Sequence, residues 1–139
     1  MNITLDEFVE RFADMDGRLA KNVRSAMMQN ALRMEGTAKK NATTFPKVVT
    51  GRLRNSIMAT VMRHQGDEHL VLRSGGLATP TRPFSESADV VYAAIQEFGG
   101  GPQNIKPKFY LKRAFERHLH YSKVLLGKAV QASLRGEDF

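Results

Sequence analysis

The sequence contains no cysteine. Disulfide frameworks and thiolate metal sites are therefore excluded, and the fold has to be held together by packing alone. Long apolar runs are absent as well, since no segment approaches the roughly 18 residues that a membrane-spanning helix needs. The first ten residues carry acidic side chains rather than a basic region followed by an apolar one. We therefore expect neither a leader peptide nor a membrane segment.

The chain has 139 residues, which is enough for one core but not for two independent ones, so we expect a single domain over residues 1–139. Its formal charge of +7 is divided into blocks: −4 over residues 1–16, +9 over 17–64, −3 over 65–101 and +5 over 102–139. Alternating blocks suit head-to-tail association, whereas a uniform basic face would suit nucleic acid. Both interpretations remain open.

The N-terminal part of the chain has the spacing of an amphipathic helix, predicted over residues 4–40. Its apolar positions recur at intervals of three and four: Leu5, Phe8, Val9, Phe12, Met15, Leu19, Val23, Met27, Ala31, Met34 and Ala38. A helix of about 35 residues would be about 50 Å long, more than a domain of this size needs, so part of its apolar face is expected to pack on another subunit. The alternative is a break at Gly17 that folds the segment into two helices.

A small antiparallel sheet of three or four strands is expected within residues 56–98. In residues 57–64 and 67–73 successive side chains would alternate between the two faces of a strand, and the two segments are separated by Gln65 and Gly66. This pattern predicts a hairpin. Residues 90–101 alternate within an apolar run and predict a buried strand ending in a glycine turn. Leu53 and Ile57, four residues apart, are expected to point inward from a short helical turn.

A second amphipathic helix is predicted over residues 108–135, with Pro107 at its start. Two turn-rich loops, residues 74–89 and 99–107, separate the later elements. The predicted class is therefore α+β, with the long N-terminal helix and the C-terminal helix packed on the sheet.

The residues that could carry chemistry are few. His64 and His69 flank the hairpin turn and could share a metal with Asp67 or Glu68, which keeps a zinc-dependent hydrolase as a minor hypothesis. Histidines on hairpin tips are more often exposed strand ends. His118 and His120 are two residues apart on a helix and cannot share a metal.

The glycines at 99–101 do not form a phosphate cradle, because no helix N-terminus follows them directly; a tight turn is expected instead. Glu97 lacks the second acid or histidine that acid–base catalysis requires. We expect it to pair with Arg52, Arg54 or a basic group of a neighbouring subunit. No catalytic, cofactor-binding or metal-binding residue is assigned, and no enzyme activity is expected.

Four basic residues, Lys39, Lys40, Arg52 and Arg54, are candidates for contact with DNA or with a neighbouring subunit. Phe45 is the only aromatic residue near them, so readout of single strands is not expected. Non-specific attraction to duplex phosphates and a simple solvated face remain alternatives.

Three segments carry a family resemblance: T-G-R-L-R-N-S-I at residues 50–57, V-Y-A-A-I-Q-E-F-G-G at 91–100 and I-K-P-K-F-Y-L-K-R-A-F at 105–115. In this order they resemble the small tail-component family of long-tailed bacteriophages typified by gene product ten of the coliphage HK-ninety-seven. The matching residues are Gly51, Leu53, Ser56, Ile57, Tyr92, Ala93, Glu97, Phe98, Gly99, Pro107, Leu111 and Ala114, with Tyr110 where a Phe is more usual.

The resemblance implies a virion structural protein of the neck, assembled in the host cytoplasm as a ring, expected to be a hexamer. Such a ring would join the head connector to the tail tube or its terminator, with DNA passing non-specifically through the lumen. A tail terminator of the same virion, or a basic DNA-binding module, is the alternative. The interval from Arg73 to Ser87 is longer than compact members of the family require. We expect Tyr92 and Phe98 to be core anchors.

Overall fold

The computed structural model describes residues 5–44, 51–74 and 88–139. In chain order its elements are helix α1 (Leu5–Thr44), helix α2 (Gly51–Ser56), strands β1 (Met58–His64) and β2 (Asp67–Arg73), helix α3 (Ala88–Phe98) and helix α4 (Tyr110–Arg135). The α+β class is confirmed, with the two long helices packed on an antiparallel sheet that has two strands, rather than three or four, within the described residues. The loop predicted at 74–89 lies almost wholly outside the described residues.

Helix α1 is continuous from Leu5 to Thr44, so it does not fold over at Gly17. A Cβ at Gly17 or Gly36 would meet nothing within 4 Å, and each glycine costs its helix about 1 kcal/mol relative to alanine. Tertiary packing of the middle and C-terminal parts of the helix offsets that cost. At 40 residues the helix is about 60 Å long.

The seam between α1 and α4 is built from small side chains. Along α1 every fourth residue is buried, and along α4 small residues dominate the facing row, so the two backbones can approach closely. The buried positions are Asn22, Ala26, Asn30, Met34, Ala38 and Ala42 in this row of α1, with Ala31 next to it, and Tyr110, Ala114, Leu125, Ala129 and Ser133 on α4.

Asn22 joins α1 to the C-terminal residues. Its Nδ2 donates to Ser133 Oγ and to the Glu137 carbonyl, both at 2.9 Å, and its Oδ1 accepts the Phe139 amide at 3.1 Å. Lys21 adds an exposed ion pair with Asp138 at 3.0 Å. The sequence alone did not indicate that Asn22 joins α1 to the C-terminal residues, because its hydrogen-bond partners are more than 110 positions away in the chain.

The hairpin is confirmed with the predicted turn. Gln65 and Gly66 have φ angles of 51° and 93°, as a two-residue turn between right-twisted strands requires, and the register pairs His64 with Asp67 and Met58 with Arg73. Ala59 and Val61 are buried. A two-stranded hairpin is marginal by itself, and here the side chain of Glu35 on α1 accepts the Ala59 amide at 2.9 Å.

The strand predicted over residues 90–101 is wrong: this segment forms α3. An apolar run of this length fits a buried helix as well as a buried strand, and its alternation was therefore ambiguous. Ala93, Gln96 and Glu97 are buried together, which is the spacing of a helix face. The inward face thus includes the two polar residues that the strand prediction placed beyond the apolar run.

The seam yields a stability prediction. Ala129→Leu adds a branched side chain where Ala129 is fully buried, so we expect a loss of about 1–3 kcal/mol in unfolding free energy from overpacking. Ala94→Leu, the same change at an exposed helical position, should alter it by less than about 0.5 kcal/mol. Urea unfolding followed by circular dichroism measures both. Equal effects of the two changes would contradict the close packing described for the seam.

Candidate functional site

The three segments that carry the resemblance meet in one hydrophobic cluster. Tyr110, the first residue of α4, lies at its centre, with its hydroxyl 3.4 Å from the Ala93 carbonyl and its own carbonyl accepting Asn41 Nδ2 at 3.2 Å. The cluster comprises Ala38, Ala42, Leu53, Ile57, Ala93, Tyr110 and Ala114, with Leu72 and Leu111 packed against it. The matched positions therefore join α1, α2, α3 and α4, and Leu53 and Ile57 point inward as predicted.

Glu97 caps the start of α4. Its side chain is buried, and its two carboxylate oxygens accept the amides of Leu111 and Lys112, each at 3.0 Å. A carboxylate in this position satisfies two amides that have no partner within the helix and interacts favourably with the positive end of the helix dipole. Among the described residues the partners of the Glu97 carboxylate are thus backbone amides rather than the expected Arg54, and the Arg52 side chain lies outside the described part of the chain.

The loop from Gly99 to Pro107 folds back on α3. Gly100 and Ile105 form an isolated antiparallel β-bridge, in which the amide of each donates to the carbonyl of the other. The Lys108 and Phe109 amides donate to the Gln96 and Glu97 carbonyls at 3.0 and 3.1 Å, respectively. Lys108 Nζ also donates to Gln96 Oε1. Burial lowers the pKa of Lys108 from its ordinary value. The end of α3 and the start of α4 are thus held together, and α4 begins at Tyr110 rather than directly after Pro107.

Gly99 is required by this loop. Its φ is 80°, and a Cβ there would lie 2.8 Å from both the Ile105 carbonyl oxygen and the Pro107 ring. The tight turn expected at the glycines is therefore present, and it leaves no helix N-terminus open to a phosphate. The matched Gly99 and Pro107 serve the same turn.

The remaining matched residues have different environments. Gly51 is the first residue of α2. Ser56 is the last, and its hydroxyl donates to the Leu53 carbonyl at 2.8 Å. Phe98, expected as a core anchor, is 73% exposed, because it follows the buried Gln96 and Glu97 on the opposite side of α3. The Tyr92 side chain lies outside the described part of the chain.

Three of the four basic candidates have described side chains. Lys39 is bound to Glu35 at 2.6 Å, while Arg54 is exposed on α2. Burial raises the pKa of Glu35, but hydrogen bonds from Lys39 and the Ala59 amide, together with the Lys39 charge, outweigh it and hold the pKa below its ordinary value. Lys40 is exposed on α1, and the Arg52 side chain is outside the described part.

The hairpin histidines do not assemble a metal site. The rings of His64 and His69 are 6.3 Å apart, and in the described residues no group of three or more histidine, aspartate or glutamate side chains could hold an ion. None of the helices in the described ranges has the length and apolar content needed to cross a membrane.

An apolar groove lies between α1, β2 and α4. It contains a cavity of about 170 Å³ lined by Ala26, Met27, Asn30, Met34, Leu70, Phe115, Ser122 and Leu126. Asn30 Nδ2 donates to Ser122 Oγ at the groove wall, whereas Asn30 Oδ1 has no hydrogen-bond partner among the described residues. Phe115, which lines the cavity, is half exposed. The apolar spacing of α1 and α4 in the sequence predicts an apolar face on each helix, but it does not indicate which part of that face another element covers.

His118 occupies the α1–α4 seam near this groove. Its Nε2 lies 2.7 Å from Thr37 Oγ1. Burial lowers the pKa of His118, and the charges of Arg117 and Arg33 lower it further. Arg33 itself stacks over the Tyr121 ring at 4.4 Å. Burial and the two arginine charges thus favour the neutral form of the imidazole.

Comparison with protein-family models, with curated proteins and with solved structures gives no match for this chain.

The capping role of Glu97 predicts that Glu97→Gln destabilises the folded chain by about 1–2 kcal/mol, because a neutral amide can replace only one of two charge-assisted hydrogen bonds. Glu116→Gln, an exposed position on α4, is the matched control and should change stability by less than about 0.5 kcal/mol. Urea unfolding at a concentration where the chain is monomeric measures both. An unchanged midpoint for Glu97→Gln would contradict the cap.

The environment of His118 predicts a pH dependence. Since its pKa is lowered in the folded state, the unfolded chain binds the proton more readily, and stability falls as the pH drops below about 6.5, the ordinary histidine value. His118→Gln should flatten this part of the curve of melting temperature against pH, while His120→Gln, at an exposed position, should preserve it. The same slope in all three proteins would contradict the assignment.

Proposed function

We propose that the protein is a non-enzymatic assembly protein. More specifically, it is a ring-forming tail-completion or neck subunit of a long-tailed bacteriophage or prophage, joining the head connector to the tail tube. The observation that carries the proposal is the convergence of the three resembling segments on one cluster, in which their matched residues serve packing and capping. These roles belong to the fold, and none of the matched residues is assigned a chemical step.

The exposed apolar side chains support assembly. Single exposed apolar residues are ordinary, but here they occur on α1, on the hairpin, at the end of α3 and along α4, which suits a subunit with several neighbours. Those with the greatest exposure are Val9, Leu32, Met62, Phe98, Phe115, Leu119 and Leu134. Phe98 directly precedes the loop from Gly99 to Pro107, so this corner is available for contact with an adjoining ring.

The length of α1 supports the same proposal. A helix of about 60 Å extends beyond the elements that pack on it, and a ring subunit can use such an extension in a heterologous contact. A tail terminator would form a similar ring, and the partner that copurifies, connector or tail tube, distinguishes the two roles.

A second candidate function is non-specific DNA binding. It is favoured by exposed basic residues on the outer side of α4, namely Arg113, Arg117, Lys128 and Arg135. This candidate predicts a DNA affinity that falls steeply with salt and that is lost when these residues are neutralised. Absence of binding at low salt would eliminate it.

The ring proposal predicts that the purified protein forms a multimer of defined mass as its concentration rises, measured by size-exclusion chromatography with light scattering. A phage or prophage lacking the gene should produce separate heads and tails, visible by electron microscopy. A protein that stays monomeric at high concentration, together with joined particles in the deletion strain, would contradict the proposal.

A further inference from the structure

The N-terminal part of α1, residues 5–17, projects past the end of α4 and is called the arm below. The Gly136 cap of α4 lies against Arg18, and among the described residues of α1 the hydrogen bonds and ion pairs to other elements begin at Lys21. Val9 on the arm is 58% exposed. The arm is about 20 Å long, and its described residues are exposed except for Met15, which is half-buried.

A receiving surface lies on α4. Phe115, Leu119, Val130 and Leu134 are exposed and, with the half-buried Leu126, follow intervals of four and seven that place them along one side of the helix. We call these five residues the α4 stripe; it is about 30 Å long. Phe115 and Leu126 also line the 170 Å³ cavity. The cavity thus provides a groove into which side chains of a docked helix could pack.

The charges of the two surfaces are complementary. The arm holds five acidic residues against one arginine, and Glu10, Asp14 and Asp16 are exposed. Helix α4 holds six basic residues against one acid, and Lys112 and Lys123 are exposed on the same side of the helix as the stripe, Lys123 lying between Leu119 and Leu126. Opposite charges on the two surfaces would steer and orient their approach.

We propose that the arm of one subunit docks on the α4 stripe of a second copy, in a head-to-tail contact. The inference deepens the ring function proposed above and rests on it. Because the arm and the stripe are different surfaces, each subunit gives its arm to one neighbour and receives an arm from another, which closes a ring when the rotation permits.

Disulfide trapping tests the contact in the intact chain, which has no cysteine of its own. Val9→Cys is mixed before concentration with Leu119→Cys, or with Val130→Cys, one partner carrying a tag that resolves the mixed dimer. A disulfide forms only when the two Cα atoms approach within about 7 Å. We expect the mixed dimer to exceed at least fivefold that formed with His69→Cys, a control at an exposed polar position of the hairpin. Yields no higher than the control at both positions would overturn the inference.

Charge reversal provides a second, independent test of the contact. Glu10→Lys with Asp14→Lys should raise the concentration for half-assembly roughly tenfold, as the loss of two exposed ion pairs implies, and Lys112→Glu with Lys123→Glu in the same chain should restore it. Arg63→Glu, on the exposed hairpin, is the control and should have no effect. Failure of the combined variant to recover assembly would overturn the pairing.

The outcomes separate the two proposals. If the wild type assembles but no arm–stripe disulfide forms, the docking mode is wrong and the ring function stands. If a chain carrying both Val9→Cys and Leu119→Cys gives covalent species that stop at two subunits, the contact is reciprocal and the head-to-tail arrangement is overturned. If the wild type never assembles, both proposals fail.

Discussion

The close packing of α1 on α4 is the contact on which the other elements depend. Its alanines allow the two helices to approach, and its polar residues, Asn22 above all, bind the C-terminal residues to α1. The hairpin could not stand alone and is supported by α1 through Glu35. Because α1 is longer than the face α4 covers, the same seam leaves the arm and the α4 stripe exposed.

Glu97 fixes the second junction of the fold. A buried carboxylate without a charged partner would ordinarily be costly, but here two amides at the start of α4 solvate it. Their hydrogen bonds, and those of the Lys108 and Phe109 amides to α3, set where α4 starts relative to α3. The exposed Phe98 is a consequence of the same geometry, because turning Glu97 inward turns its neighbour outward.

The elements with a strong local signal could be predicted from the sequence. The long periodic helices and the hairpin around Gln65 and Gly66 follow from period and turn chemistry. The α3 segment could not be assigned in this way, since an apolar run has no distinguishing period and its polar inward residues find partners only in the tertiary fold. Glu97 was identified as an unusual residue, but its partners are backbone amides, which leave no trace in the pattern of side chains.

Native mass spectrometry of the purified protein at rising concentration tests whether this chain is, as we propose, a subunit of a closed ring. We expect one dominant assembly with a fixed number of subunits greater than two, giving way to monomer on dilution. A monomer at every concentration, a dimer alone, or an open series of sizes without a preferred one would contradict it.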